Sequence, residues 1–209
     1  MRVITKPDKA MASHYAANLI ASAIKKKKDL VLGLATGNTP IDTYKELVKM
    51  YKAGEISFRH VTTFNLDEYY GLAHDHPASY HRFMQENLFS HIDIPPENVN
   101  IPDGTLPMGS VRNYCREYEN KIQACGGLDL QVLGIGMDGH IGFNEPGSSL
   151  ASSTRLKTLS WNTKIQNGRE FGGVENVPDL AITMGIGTIM KAKRSEERRV
   201  GKECRSRRS

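Results

Sequence analysis

The sequence predicts an α/β protein built on a doubly wound, mostly parallel sheet, Rossmann-like in outline. Three observations carry this. Short apolar runs alternate with longer segments of helical periodicity, the pattern of strand–helix–strand units. The runs end in turns rich in Gly, Thr, Asn and Asp. One such run, Leu128–Leu133, leads into the loop Gly134–Gly147, which gathers proton-handling groups where open α/β sheets bind ligands, at the carboxyl edge. With 209 residues, 39% of them hydrophobic, the chain is long enough for one substantial core and is expected to hold one domain.

Asp8 to Lys28 reads as a helix capped by Asp8, with Met11, Tyr15, Leu19 and Ala23 apolar at spacing four. Lys25–Lys28 complements the negative helix end, so the lysine run is read as a solvated terminus. Leu30–Ala35 is a buried strand. In the turn Thr36-Gly37-Asn38-Thr39-Pro40, Thr39 is placed to cap the next helix and Pro40 to open it. Free N–H groups and the positive dipole end then point at the turn and attract phosphate, although any strand-to-helix turn has similar needs. Ile41–Lys52 is the second helix, with Tyr44, Leu47, Val48 and Tyr51 as its stripe. Strand Val61–Phe64 delivers Leu66-Asp67-Glu68-Tyr69 to the same edge. Either carboxylate can serve as a general base if it is ionised near a substrate proton; capping the following turn suits Glu68 better than Asp67.

His74-Asp75-His76-Pro77-Ala78-Ser79-Tyr80-His81 offers three histidines, but Asp75 lies between them and no later cluster completes a site, so no metal is expected. Tyr80, Phe83, Met84 and Leu88 form a helical face that ends near His91, and Pro95-Pro96 enforces a loop. Ser110–Gln123 is a helix with Val111, Tyr114, Tyr118 and Ile122 facing inward. In the central loop Asp138, His140 and Glu145 fall within eight residues, among glycines that allow sharp turns. Histidine titrates near neutrality, and flanking carboxylates can fix its tautomer, which makes a proton-handling triad; the alternative is that Asp138 caps a turn and His140 bonds a carbonyl. Thr154–Leu159 alternates like a strand. Trp161–Asp179, with Asn167-Gly168-Arg169 and Gly172-Gly173, suits a mobile lid or a plain surface loop. Leu180–Gly185 is a last strand, and Gly187–Met190 starts a helix.

The net charge of +5 raises the question of nucleic acid. Seven of the 28 Lys and Arg but three of the 23 Asp and Glu fall in residues 194–209, which leaves the body with 21 and 20. A basic tail without a fold binds phosphate backbones only non-specifically, so no specific nucleic-acid partner is expected. The sequence contains no 18-residue apolar run and no apolar signal-peptide core, so a soluble cytoplasmic protein without a membrane partner is expected. Cys115, Cys125 and Cys204 have no metal spacing, and Cys115 and Cys125 read as reduced, partly buried thiols. Gly134-Ile135-Gly136-Met137-Asp138-Gly139 lacks the third glycine of the dinucleotide fingerprint, and no cofactor is expected.

The run Gly136-Met137-Asp138-Gly139-His140-Ile141-Gly142-Phe143-Asn144-Glu145-Pro146 resembles the signature loop of the glucosamine-6-phosphate deaminase (glucosamine-6-phosphate isomerase) family. The resemblance continues through Thr36–Pro40, Phe64-Asn65-Leu66-Asp67-Glu68-Tyr69-Tyr70 and Ser148–Arg155, and covers residues 1 to about 192. It implies conversion of D-glucosamine 6-phosphate and water to D-fructose 6-phosphate and ammonia. Asp67 is then the base that moves a proton from C2 to C1, while His140 assists ring opening, oriented by Asp138 and Glu145. The resemblance further implies that Thr36, Gly37, Asn38 and Thr39, with Arg169 from an active-site lid, hold the sugar phosphate. Ser148, Ser149, Arg155, Lys157 and Thr158 match positions that bind N-acetylglucosamine 6-phosphate between subunits in allosteric hexameric members, which implies a homo-oligomer; an ordinary surface strand is the alternative. No metal is implied. A related reading is 6-phosphogluconolactonase, which shares a Gly-x-Asp-Gly-His loop, although Phe143–Pro146 and Asn65–Tyr69 fit the deaminase pattern better; a non-catalytic phosphosugar-binding fragment is the reading from another class. Residues 194–209 depart from the family and read as a disordered, artefactual tail, with the remainder, 1–193, lacking the family's later strands and its phosphate-contacting lysine. That loss is expected to expose a central strand.

Overall fold

The computed structural model describes residues 3–136 and 138–198. Within them the chain runs α1 (Lys9–Lys26), β1 (Val31–Leu34), α2 (Ile41–Lys52), β2 (Thr62–Asn65), β3 (Asp67–Tyr69), α3 (Tyr80–Asn87), β4 (Val99–Asn100), α4 (Met108–Ala124) and β5 (Leu130–Gly134). It continues through β6 (Arg155–Thr158), α5 (Trp161–Asn167), β7 (Leu180–Thr183), α6 (Ile186–Met190) and β8 (Ser195–Arg198). Short 3-10 turns fill several connections.

Five strands form a parallel sheet in the order β4-β2-β1-β5-β8. From β1 the chain winds outward through β2 to β4 and then crosses back to β5 on the other side, which makes the β1/β5 border a topological switch point. The loops that leave β1 and β5 diverge there, and they are the two glycine-bearing loops singled out in the sequence.

Alternation along the strands builds a core on each face. Leu32, Leu34, Leu130 and Val132 pack with Ile20 and Ile24 of α1, Tyr44 and Leu47 of α2, and Met84 and Leu88 around α3. Val31, Phe64 and Leu133 face the other way, onto Tyr118 and Ile122 of α4 and Ile189 of α6. Each fully buried side chain of this kind is worth about 1.5–3 kcal/mol, so both layers hold the sheet firmly enough to fix the loops at its edge.

Helix α1 is capped as expected, the Asp8 carboxylate accepting from the Met11 N–H at 2.7 Å. Its inward face differs from the expected stripe: Ser13, Ala16, Ala17, Ile20, Ala21 and Ile24 are buried, whereas Met11 is half exposed. Small alanines let α1 lie close on α2 and the sheet, Ile20 and Ile24 fill the contact, and Leu19 packs at its margin. Lys27 leaves the lysine run to meet Asp129 at 2.6 Å, and Asp129 also accepts from the Val31 N–H and from Lys193. Pro40 takes helical angles ahead of α2.

A second, antiparallel sheet, β3-β7-β6, stands at the carboxyl edge of the first. The sequence reads Leu180–Gly185 as a last strand without assigning its neighbours; it forms β7, which pairs with β3 and β6. Leu66 is the joint, its N–H bonding Leu34 on the main sheet and its carbonyl accepting from Met184. The expected tail from Arg194 also needs correction at its start, because Ser195–Arg198 pair in parallel with β5. A strand there covers one side of β5; the rest of the tail, Cys204 included, lies outside the described residues. Cys115 is buried, which pushes its thiol up to about 11, so it stays an unreactive thiol.

Candidate active site

Asp67 is the first residue of β3 and stands opposite Thr183 of β7. It is 5% exposed. Burial, reinforced by the charge of Glu68, pushes its carboxyl up to about 8, against a hydrogen bond from the Thr36 hydroxyl that favours the charged form. Thr36 opens the turn after β1, so the candidate phosphate turn and the candidate base meet directly. In that turn Gly37 has φ +88°, a conformation that L side chains rarely adopt.

The loop after β5 closes over the same carboxylate. Gly142 has φ +58°, and a Cβ there would lie 3.0 Å from Asp67 Oδ2 and 3.1 Å from Thr183 Oγ1. The Thr183 hydroxyl accepts from the Phe143 N–H, and Asn144 Nδ2 donates to the Ile141 and Met184 carbonyls. The loop is thereby tied to β7, the strand that pairs with Asp67. Thr183 was not legible in the sequence, since its role depends on a strand pairing between distant segments; Asn144 lies in the motif but carries no proton chemistry to mark it.

His140 Nδ1 lies 2.6 Å from Asp138 Oδ1, and the His140 N–H donates to the same oxygen at 3.2 Å. That backbone bond, with the imidazole beside it, holds the Asp138 carboxyl below the usual carboxylate range. An Nδ1–H held by Asp138 leaves Nε2 for proton exchange. The ring lies over Gly136, where a Cβ would come within 2.2 Å of His140 Cε1. Asp138 thus caps the turn and orients the imidazole at once, so the capping half of the alternative reading holds while the His140 ring meets Asp138 instead of a carbonyl.

Glu145 departs from the expected triad. Past the Ile141–Asn144 bridge the chain turns toward α5, and the Glu145 carboxylate accepts from the Thr163 hydroxyl rather than meeting His140. Thr163 and Asn167 lie on one face of α5. Asn167 Nδ2 donates to the Tyr69 hydroxyl at 2.8 Å, and Lys164 pairs with Asp179 at 2.6 Å. The segment read as a lid or surface loop therefore holds α5 and two 3-10 turns, Gly168–Phe171 and Val174–Asn176. Arg169 projects exposed from the first of these.

Glu68 follows the capping alternative. Its fully buried carboxylate accepts from the Tyr69, Tyr80 and His81 N–H groups. Of the remaining residues, Ser148 and Ser149 lie in the turn after Glu145, while Arg155, Lys157 and Thr158 lie on β6. Arg155 Nη1 donates to the Ser153 carbonyl, and the Ser148 hydroxyl is buried without a protein partner. The histidine cluster forms pairs: His74 stacks on His81 with ring centroids 3.8 Å apart. Among the described residues no group of three or more His, Cys, Asp or Glu side chains converges as a metal site, and no helix is long and apolar enough to cross a membrane.

The profile of the family described as glucosamine-6-phosphate isomerases/6-phosphogluconolactonase matches residues 8–195. The glucosamine-6-phosphate deaminase of Thermoanaerobacter sp. (strain X514) is 52% identical over 194 residues, which span 93% of this chain and 76% of that protein. The deaminase of Borreliella afzelii (strain PKo) is 53% identical over 196 residues, 91% of this chain and 72% of that one. Among solved structures, a monomeric glucosamine-6-phosphate deaminase superposes with a TM-score of 0.91 at 44% identity, covering 94% of this chain and 81% of that chain. The 6-phosphogluconolactonase of Thermotoga maritima, at 23% identity and a TM-score of 0.64, covering 88% and 76%, shares the fold.

Proposed function

The chain belongs to the glucosamine-6-phosphate isomerase/6-phosphogluconolactonase family, and from this we infer that it converts D-glucosamine 6-phosphate and water to D-fructose 6-phosphate and ammonia. The relatives of about 50% identity are deaminases, whereas the lactonases share the fold at lower identity. The observation that carries the assignment of roles is the placement of Asp67: a desolvated carboxylate between Thr36 of the phosphate turn and Gly142 of the His140 loop.

In the proposed mechanism the His140 imidazole, held by Asp138, moves the proton between the anomeric hydroxyl and the ring oxygen, so that the pyranose opens. Asp67 in its ionised form takes the proton from C2. The electron pair forms the C1–C2 double bond as the C1–O π bond breaks, and the C1 oxygen takes a proton from water, which is returned when water later adds at C2. Asp67 then returns its proton to C1, leaving a C2 iminium, and water adds at C2 as ammonia departs. A carboxyl raised toward neutrality suits both halves of this transfer, because it accepts and releases a proton at little cost near the working pH. The N–H groups of Thr36–Thr39 and the fork of Arg169 are assigned to the phosphate. Glu145, bonded to Thr163, is assigned to coupling the loop with α5.

Ser148, Ser149, Arg155, Lys157 and Thr158 form the proposed effector site for N-acetylglucosamine 6-phosphate, which requires an oligomer and a cytoplasmic setting where amino-sugar phosphates are metabolised. Titrating that compound against substrate cooperativity tests it; unchanged kinetics in an oligomer would remove the assignment. The activity itself is tested by offering the purified chain glucosamine 6-phosphate and 6-phosphogluconolactone in parallel. Ammonia and fructose 6-phosphate from the first substrate are expected, and hydrolysis of the lactone alone would overturn the reading.

A further inference from the structure

Glu68 is a fully buried carboxylate that the proposed mechanism leaves unused. It follows Asp67 directly, and successive residues of a strand point to opposite faces. Asp67 faces the turn after β1 and the loop at Gly142, while Glu68 faces α3. There its Oε1 accepts from the Tyr69 and Tyr80 N–H groups at 2.8 and 3.0 Å, and its Oε2 from the His81 N–H at 3.0 Å. Three backbone donors form a pattern that an ionised carboxylate satisfies, since it is acceptor-only. His81 Nδ1 also lies 3.0 Å from Oε2. Behind His81 stands the stacked ring of His74, which in turn meets Asp103 at 3.0 Å.

We propose that Glu68 is a positioning residue for Asp67: clamped on the first turn of α3, it locks β3 in place and keeps a fixed negative charge behind the base. The proposal rests on the reading of Asp67 as the general base. The register of β3 against β7, Asp67 with Thr183 and Glu68 with Ile182, holds the two carboxylates in a constant relation. Other titratable groups around the pair are Tyr69 on β3, Tyr80 and His81 on α3, Tyr118 on α4 and, beyond the tyrosines, Glu170. Among these, Glu68 is the group whose charge adds to burial in raising the Asp67 carboxyl. A base so placed keeps its proton to higher pH and is stronger when it loses it.

The test is the pH profile of kcat/KM for glucosamine 6-phosphate, measured on the purified chain, whose acidic limb reports the free enzyme's base. Glu68→Gln is expected to move that limb to lower pH by about 1 unit, the effect of one nearby charge. Glu68→Asp keeps the charge and is expected to leave the limb in place while lowering kcat. His81→Arg sets a permanent positive charge against Glu68 without removing the clamp, so it is expected to move the limb in the same direction as Glu68→Gln. Thermal melts identify the folded variants, and His81→Arg decides alone if Glu68→Gln does not fold. Turnover that falls evenly at every pH, with the limb unmoved in the folded variants, would overturn the proposal. Failure of the underlying reading looks different: Asp67→Asn would then retain its turnover.

Discussion

Replacing Asp67 by Asn should stabilise the protein while disabling it. The ordinary carboxyl value is 3.8, and burial with the Glu68 charge raises Asp67 to about 8. Because the folded state holds this proton more tightly than the unfolded chain, ionisation works against folding. The associated stability is fully present below about pH 4 and is lost as pH rises through about 8. A difference of about 4 units at ~1.36 kcal/mol each sets an upper bound of about 5 kcal/mol above pH 8. Asn carries no charge and removes this cost, although its amide still needs partners, so a net gain of about 2–5 kcal/mol at pH 9 is expected. Urea unfolding of both proteins across pH checks it. Between about pH 4 and 8 the wild type should lose about 1.4 kcal/mol per pH unit relative to the variant. Parallel stability curves would refute the reasoning, since they would mean that the Asp67 carboxyl is not held in a desolvated, charge-opposed site.

Three further outcomes follow from the geometry. Gly142→Ala places a Cβ 3.0 Å from Asp67 Oδ2 on a backbone with φ +58°; a loss of about 1–3 kcal/mol in unfolding free energy is expected, together with reduced kcat, and a variant as active and stable as the parent would contradict the close approach. Thr163→Val removes the hydroxyl that donates to Glu145; hydrogen bonds to charged groups are worth about 1.5–3 kcal/mol, so kcat/KM should fall by roughly tenfold or more, and unaltered kinetics would detach α5 from the site. Arg169→Ala should raise KM by roughly tenfold with kcat largely kept, as loss of a phosphate contact implies; a fall in kcat at constant KM would place Arg169 in the chemistry instead.

Local chemistry was the legible part of this protein. The Asp8 cap, the strands that end in glycine-bearing turns, the Asp138–His140 pair and the capping use of Glu68 are written in residues close together in sequence, and the structure repeats them. What was not legible depends on distant pairing or on small residues. Helix α1 packs through Ala16, Ala17 and Ala21 with Ile20 and Ile24, so a reading that followed Met11, Tyr15 and Leu19 chose the flank. The antiparallel sheet joins β3 to β7 across the whole central loop, and no local periodicity distinguishes such a strand from one in the main sheet. That one pairing places Thr183 against the base and ties the His140 loop to it through Phe143 and Asn144. The pairing of Ser195–Arg198 with β5 was hidden for a related reason, since its composition reads as a solvated tail.

The central claim is that Asp67 is the base of the deamination. Its most direct test is ammonia release from glucosamine 6-phosphate by the wild-type chain and by Asp67→Asn, at one pH and with folding verified. General acid–base catalysis contributes about 10²–10⁴-fold, so kcat is predicted to fall by that factor while KM stays near the wild-type value. Undiminished turnover in the folded variant would contradict the claim and move the base elsewhere in the site.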